Sequence, residues 1–306
     1  MFETRFFSTV LLPVVLALIM TGIGTSLRLT DFRNILRFPK GVWVGLLGQM
    51  VLLPVLAFII AFLSPMPGVF KAGLVLVAAC PGGATSNLII HLFRGNVAMS
   101  ISFTIVNSFL TLFSIPFWVY LGLWTFRGEG IEVPMPLAES LLHILGMTVI
   151  PCALGIWLGT RFQPAILKFR KWLDLFMPIL MAFAMTAALF FEKKQDAVDL
   201  SFPVFSSVLP WVLLLNVSGL LGGYLLAGLF GLGNRNRMTV SVEVGMQNTG
   251  LAIAIATSAY MLNDQNLAVP AAAYALFTFF TAVGWAAILR RKAISFAWKN
   301  NRIRKP

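Results

Sequence analysis

Apolar residues run along this chain in long blocks, separated by short joints of charged, polar, proline and glycine residues. A helix needs about 20 apolar residues to cross the hydrocarbon core of a bilayer. Nine blocks reach that length: H1 at 6–27, H2 at 40–63, H3 at 69–93, H4 at 97–125, H5 at 136–160, H6 at 171–191, H7 at 204–230, H8 at 237–259 and H9 at 267–289. The pattern predicts an all-α polytopic membrane protein of nine transmembrane helices. No polar stretch is long enough for a separate soluble unit, so residues 1–306 read as a single membrane domain. H1 exceeds the roughly 7–15-residue core of a signal peptide and lacks a clear small-x-small cleavage site, so it reads as the first membrane helix.

Two blocks are interrupted near their middles. H3 contains Cys80-Pro81-Gly82-Gly83-Ala84-Thr85-Ser86-Asn87, and H8 contains Glu243-Val244-Gly245-Met246-Gln247-Asn248-Thr249-Gly250. Pro81 has no N–H and blocks the helix hydrogen bond one turn back. Gly82 and Gly83 let the chain leave helical geometry. Freed carbonyls can then hold a cation, and the freed N–H groups of a restarted half-helix can hold an anion. Irregular backbone at membrane depth is tolerated only where it faces protein or water. A plain proline kink would explain H3 alone about as well. H8 changes the balance, because it places a carboxylate in the apolar interior, at roughly 2.5–3.5 kcal/mol on insertion scales. The two breaks lie five helices apart and so cross in opposite directions. This predicts an inverted repeat, H1–H4 with H6–H9, having one discontinuous helix in each half, a pattern that points to a transporter site.

Composition agrees. Of 306 residues 58% are hydrophobic and 11% charged, against about 25% charged in soluble domains; the bilayer must cover much of the surface. The net charge of +12 would suggest nucleic acid in a soluble protein. Here the basic residues sit in the joints. With nine spans, 18 of the 23 Lys and Arg fall on one side, among them Arg28, Arg94, Arg161, Arg235 and the tail from Arg290 to Lys305. The positive-inside rule makes that side cytoplasmic, with the C-terminus inside and the N-terminus outside; in a bacterium this means the inner membrane. Cys80 and Cys152 lie within apolar blocks and form no CxxC or Cys/His cluster, so neither a disulfide nor a metal site is expected. His91 and His143 form no HExxH pair and no GxSxG elbow occurs, which excludes the common intramembrane enzyme signatures. No organic cofactor and no protein partner is implied.

At its two breaks the chain resembles the bile acid:sodium symporter family. The matching pieces are Pro81-Gly82-Gly83-Ala84-Thr85-Ser86-Asn87, then Arg94-Gly95-Asn96-Val97-Ala98, then Glu243-Val244-Gly245-Met246-Gln247-Asn248-Thr249-Gly250. Spacing fits from about Leu11 to Arg291, in the nine-helix form. The resemblance implies a core domain (about 40–125 and 204–291) in which the two discontinuous helices cross, and a panel domain (about 6–27 and 136–191), with alternating access between them. It implies two sodium ions. Site 1 would use Ser86, Asn87, Ser100, Thr104 and Glu243. Site 2 would use Gln49, Glu243, the carbonyls of Val244 and Met246, and Gln247. Substrate would lie at Ala84, Thr85, Asn248 and Thr249, where half-helix N-termini favour a small or amphipathic organic anion such as a bile acid, a keto acid or a pantoate-like acid. Some members are polar where this chain has Ala84, and others carry His-Asn where it has Thr278-Phe279; Phe277, Phe279 and Phe280 make that region apolar.

The residues themselves keep blander alternatives open. Ser100 and Thr104 share a helix face at i, i+4 and could merely bond back to their own helix. Gln49 could be an interhelical glue, and Asn216, its counterpart in the repeat, likewise. A proton-coupled carrier with Glu243 as relay is the competing mechanism; the oxygen-rich surroundings of Glu243 favour sodium.

Overall fold

The structure is a computed structural model that describes residues 12–26, 39–82, 84–126, 150–151, 153–164, 166, 168, 172, 176, 201–257 and 262–303. Helix α1 is Leu12–Ser26. The next span is α2 (Pro39–Leu47), a π turn (Gly48–Leu52) and α3 (Leu53–Leu63) in unbroken succession. Then come α4 (Gly68–Ala79), α5 (Ala84–Leu92) and α6 (Val97–Phe126). Beyond the gap lie α7 (Phe202–Leu229), α8 (Asn234–Gly245), α9 (Thr249–Thr257) and, after a 3-10 turn at Asn266–Ala268, α10 (Val269–Ile303). No strand occurs among the described residues; the one β feature is an isolated bridge between Pro81 and Gln247.

The helices follow the apolar blocks. H2 and H7 are unbroken spans at Pro39–Leu63 and Phe202–Leu229, and H9 spans from Asn266 to Arg291. H3 and H8 are each split in two, at 80–83 and 246–248. H4 bends by 57° between Val97–Thr111 and Phe113–Phe126. Pro116, inside this helix, leaves the Leu112 carbonyl without its helical donor and accounts for the bend. H9 was expected to end at 289, but α10 runs on to Ile303. No Gly or Pro interrupts Leu289–Ile303, and its Arg, Lys and Ala are good helix formers, so the helix continues past the apolar span. Most of H5 and nearly all of H6 lie outside the described residues, so the nine-helix count does too.

Residues 39–126 and 201–291 pack into one bundle: α4 against α6, α3 and α10, and α7 against α8, α10 and α3. Its centre holds Leu53, Ala57, Leu74, Val77, Val212, Leu215 and Tyr274, with Ala252, Ala254 and Ala256 of α9. Lipid tails are as apolar as leucine, so such helices associate by close packing of small residues rather than by a hydrophobic drive. The large apolar side chains Trp43, Phe62, Phe117, Trp124, Leu276 and Phe280 face outward, as a lipid-solvated surface requires. A second contact joins α1 to the helical stretch near 153–160. A Cβ on Gly155 would collide with the Thr21 carbonyl, and one on Gly159 would stand 2.8 Å from the Thr25 carbonyl. This Gly-x-x-x-Gly pair is the small-residue seam that lets membrane helices touch backbone to backbone.

Candidate functional site

The two helix breaks meet. Pro81 bridges Gln247, and the Asn248 N–H donates to the Cys80 carbonyl at 3.1 Å. Gly82 is required here: a Cβ would come within 2.6 Å of the Met246 carbonyl oxygen, a backbone atom that cannot move without parting the breaks. The irregular backbone is thus satisfied by its opposite number, as membrane depth demands. Asn248 also caps α9. Its Oδ1 accepts from the Leu251 N–H at 3.0 Å, while Ala252 N–H donates to its carbonyl. Oδ1 is spent on this cap, and Nδ2 makes no hydrogen bond among the described residues.

Glu243 stands one turn before the α8 break and is buried, 1% exposed. Ser86 Oγ donates to its Oε2 at 3.0 Å, and Ser100 Oγ donates to its Oε1. Ser100 Oγ also lies 2.5 Å from Asn87 Oδ1, and Asn87 Nδ2 donates to Thr104 Oγ1 at 3.4 Å. No cationic side chain pairs with Glu243 among the described residues. The five residues expected for site 1 therefore form one contiguous cluster of a carboxylate, three hydroxyls and an amide oxygen. The Ser100/Thr104 pair divides: Thr104 does bond back, to the Ser100 carbonyl at 3.0 Å, while the Ser100 hydroxyl reaches across to Glu243.

Gln49 and Gln247 form a reciprocal amide pair, Gln49 Nε2 to Gln247 Oε1 at 2.9 Å and Gln247 Nε2 to Gln49 Oε1 at 3.2 Å. Gln247 Nε2 also donates to the Val244 carbonyl at 2.8 Å, and Gln49 Nε2 to the Ala78 carbonyl at 3.3 Å. The interhelical bond of the bland alternative is present, made to the other member of the expected site 2. The π turn aims Gln49: the Leu53 N–H bonds to the Gly48 carbonyl, one residue wider than an α-helix allows. Pro54 follows and has no N–H for the Met50 carbonyl. Trp118 Nε1 of α6 supplies that donor at 2.9 Å. Gly48 lets this turn lie against α8, since a Cβ there would meet Val244 Cγ2 at 2.7 Å.

Across the break, Asn216 Nδ2 donates to the Gly245 carbonyl at 2.9 Å and to Tyr274 Oη at 3.0 Å, and Tyr274 Oη donates to the same carbonyl at 2.6 Å. Gly245 ends α8 as Ala79 ends α4. So an amide from α7 holds the end of one half-helix much as Gln49 holds the other. Thr85 and Thr249 open α5 and α9 as their second and first residues; Thr85 is exposed and Thr249 half-buried. Ala84 is the first residue of α5, and its side chain lies outside the described set, as does Gly83. Phe277 packs on Tyr274 at 5.7 Å between centroids, whereas Phe280 is 73% exposed. Cys80 is buried and free, and no group of three metal-ligating side chains occurs among the described residues. The sequence offered no sign of Trp118's role. Pro54 marks Met50 as an orphaned carbonyl, but the partner comes from tertiary structure. Asn107, buried on α6 with no hydrogen-bond partner among the described residues, was not singled out in the sequence, although its spacing puts it on the Ser100/Thr104 face.

The sequence profile of the Sodium Bile acid symporter family matches residues 13–195. The "Uncharacterized sodium-dependent transporter YocS" of Bacillus subtilis is 29% identical over 247 residues, 81% of this chain and 74% of that protein. The "Probable sodium/metabolite cotransporter BASS1, chloroplastic" of Arabidopsis thaliana is 31% identical over 79% of this chain and 58% of that one. The human "Sodium/bile acid cotransporter 4" is 29% identical over 80% and 55%. The chain thus spans little more than half the length of the plant and human relatives. The α5–α6 half of the site falls inside the profile match, and α8 meets it at the crossed breaks: this membrane protein belongs to the sodium bile acid symporter family.

Proposed function

We propose that the chain is a sodium-coupled symporter that carries a small or amphipathic organic anion by alternating access. The carrying observation is the buried Glu243 carboxylate, held at the crossing of two broken helices by hydroxyls from α5 and α6 and with no cationic partner among the described residues. Sodium is a hard cation that seeks several oxygens. Ser86, Asn87, Ser100, Thr104 and Glu243 offer them for one ion; Gln49, Gln247, Glu243 and the carbonyls of Val244 and Met246 offer them for a second. A hydroxyl that now donates to the carboxylate can rotate and present lone pairs to the ion. One carboxylate cannot neutralise two sodium ions. Dipoles and the substrate anion meet the remaining charge, which makes sodium and anion binding mutually supportive and, by linkage, reciprocal.

The anion lies at the N-termini of α5 and α9, at Ala84, Thr85, Asn248 and Thr249, where the positive helix ends favour negative charge. Of nine helices, H1–H4 and H6–H9 form two inverted repeats, with H5 between them. The bundle of 39–126 and 201–291 is the core, and α1 with the helix around Gly155 and Gly159 belongs to the panel; the close seam between those two supports the division.

The test is uptake into proteoliposomes of labelled taurocholate, pyruvate and pantoate. An inward sodium gradient should drive accumulation of at least one, and replacing sodium with choline should abolish it. Uptake that followed a pH gradient and ignored sodium would replace this mechanism with a proton relay through Glu243.

A further inference from the structure

Asn107 is 1% exposed, and neither its Oδ1 nor its Nδ2 has a hydrogen-bond partner among the described residues. Such a group is costly anywhere, and more so in a membrane interior. A leucine has the same branched side-chain skeleton without that cost. The position along α6 suggests what offsets it. Asn107 follows Thr104 by three residues and Ser100 by seven, so all three share one helix face. On that face Ser100 and Thr104 both contact Asn87 of α5, and Ser100 reaches Glu243. Helices α5 and α6 are joined by a tight turn and run antiparallel. Ascending α6 from Thr104 to Asn107 therefore corresponds to descending α5 from Asn87 to Ala84, its first residue. By that register Asn107 stands level with the α5 N-terminus, one turn on from Thr104 of the carboxylate cluster.

A lone cation there would satisfy only Oδ1, and a lone anion only Nδ2. A cation and an anion together satisfy both. We infer that Asn107 joins the two transported charges, its Oδ1 ligating the sodium held by Ser100, Thr104 and Glu243 and its Nδ2 donating to the anionic head of the substrate at the start of α5. The inference rests on the sodium-symport reading and adds to it a residue through which ion and substrate touch the same side chain. It also gives the α5 N-terminus a polar group that Ala84 does not supply.

The experiment compares wild type, Asn107→Leu, Asn107→Asp and Thr111→Val. Thr111 is buried on the same stripe one turn on, but its hydroxyl bonds back to the Ser108 carbonyl, so its variant reports general disturbance of the face. Thermal unfolding of the detergent-purified protein is followed against sodium chloride, with choline chloride holding ionic strength. In choline alone, Asn107→Leu should melt at or above wild type. Its half-saturating sodium concentration should rise about tenfold, as for loss of a ligand to a charge, while Thr111→Val stays near wild type. Asn107→Asp keeps an oxygen for sodium and loses the donor. It should retain the sodium response and lose uptake of the labelled anions in proteoliposomes. An unchanged sodium curve in Asn107→Leu, or the same loss in Thr111→Val, overturns the sodium contact. Uptake by Asn107→Asp equal to wild type overturns the anion contact. A wild type indifferent to sodium would bring down the sodium-symport reading, and this inference with it; a responsive wild type with an indifferent Asn107→Leu brings down the inference alone.

Discussion

Glu243 is the residue on which the proposed coupling turns. Its two carboxylate oxygens are engaged from different helices, Oε2 by Ser86 of α5 and Oε1 by Ser100 of α6, so one side chain of the second half ties together two helices of the first. Glu243→Gln keeps shape and hydrogen-bonding capacity but removes the charge that a bound cation requires. The variant should purify as a folded protein, with sodium-dependent stabilisation weakened by about tenfold or more and uptake lost in parallel. Glu243→Asp should be impaired as well, because a shorter side chain cannot hold both hydroxyls. Sodium titration by thermal shift alongside uptake checks both. Full sodium-driven uptake by Glu243→Gln would show that the charge sits elsewhere. Glu243 itself was legible in the sequence, since an acid surrounded by apolar residues has few structural excuses. Asn107 is harder to single out, because a lone asparagine in an apolar helix usually finds a partner, and only the coordinates show that this one does not.

At the scale of the elements, the interruptions divide into those that the chain announces and those that packing makes. Pro81 with Gly82 announces the α4–α5 break, and the polar run from Gln247 to Thr249 announces the other. The π turn at Gly48–Leu52 is not announced: Pro54 disqualifies one helical bond but does not choose between a kink, a water and a wider turn. Trp118 chooses, by donating to the Met50 carbonyl from another helix. Trp118→Phe should keep the ring packing against Phe58, now 5.9 Å between centroids, and leave that carbonyl unpaired. We expect a stability loss of about 1–3 kcal/mol and a shallower dependence of uptake on sodium concentration as Gln49 loses its aim. Equilibrium unfolding and sodium-dependent uptake measure the two effects. A stability loss with an unchanged sodium dependence would limit Trp118 to packing. The extension of α10 to Ile303 was missed for a related reason. Hydropathy marks where a membrane ends, and a helix of arginine, lysine and alanine need not stop there.

For the whole molecule, the distribution of charge sets the expectation of orientation. With the nine spans proposed, eighteen basic residues would fall on one side against five on the other, which predicts a cytoplasmic C-terminus and an external N-terminus. A C-terminal cysteine tag should resist a membrane-impermeant maleimide in intact cells and react after lysis, and an N-terminal one should react in both. Labelling of the C-terminal tag in intact cells would reverse the assignment and exchange the inner and outer openings of the proposed path.

The crossing of the two breaks also sets an order of assembly. Ser86 meets a carboxylate 157 residues further along, and Gln49 pairs with a glutamine 198 residues away. During synthesis the first half must therefore enter the bilayer with the Cys80 carbonyl lacking its donor from Asn248, Pro81 its bridge to Gln247 and Ser86 its contact with Glu243, and wait while more than a hundred residues are made. Contacts of such long sequence separation form late and leave polar backbone open in the meantime. A nascent chain ending near Leu229 should be a substrate for membrane quality control, whereas one extended through Thr257 should escape it. Pulse-chase turnover of the two truncations would reveal the difference, and equal half-lives would mean that the first break finds another way to stay covered. The same feature that makes an ion site out of two distant segments thus makes the half-built protein a client of whatever machinery guards unfinished membrane chains.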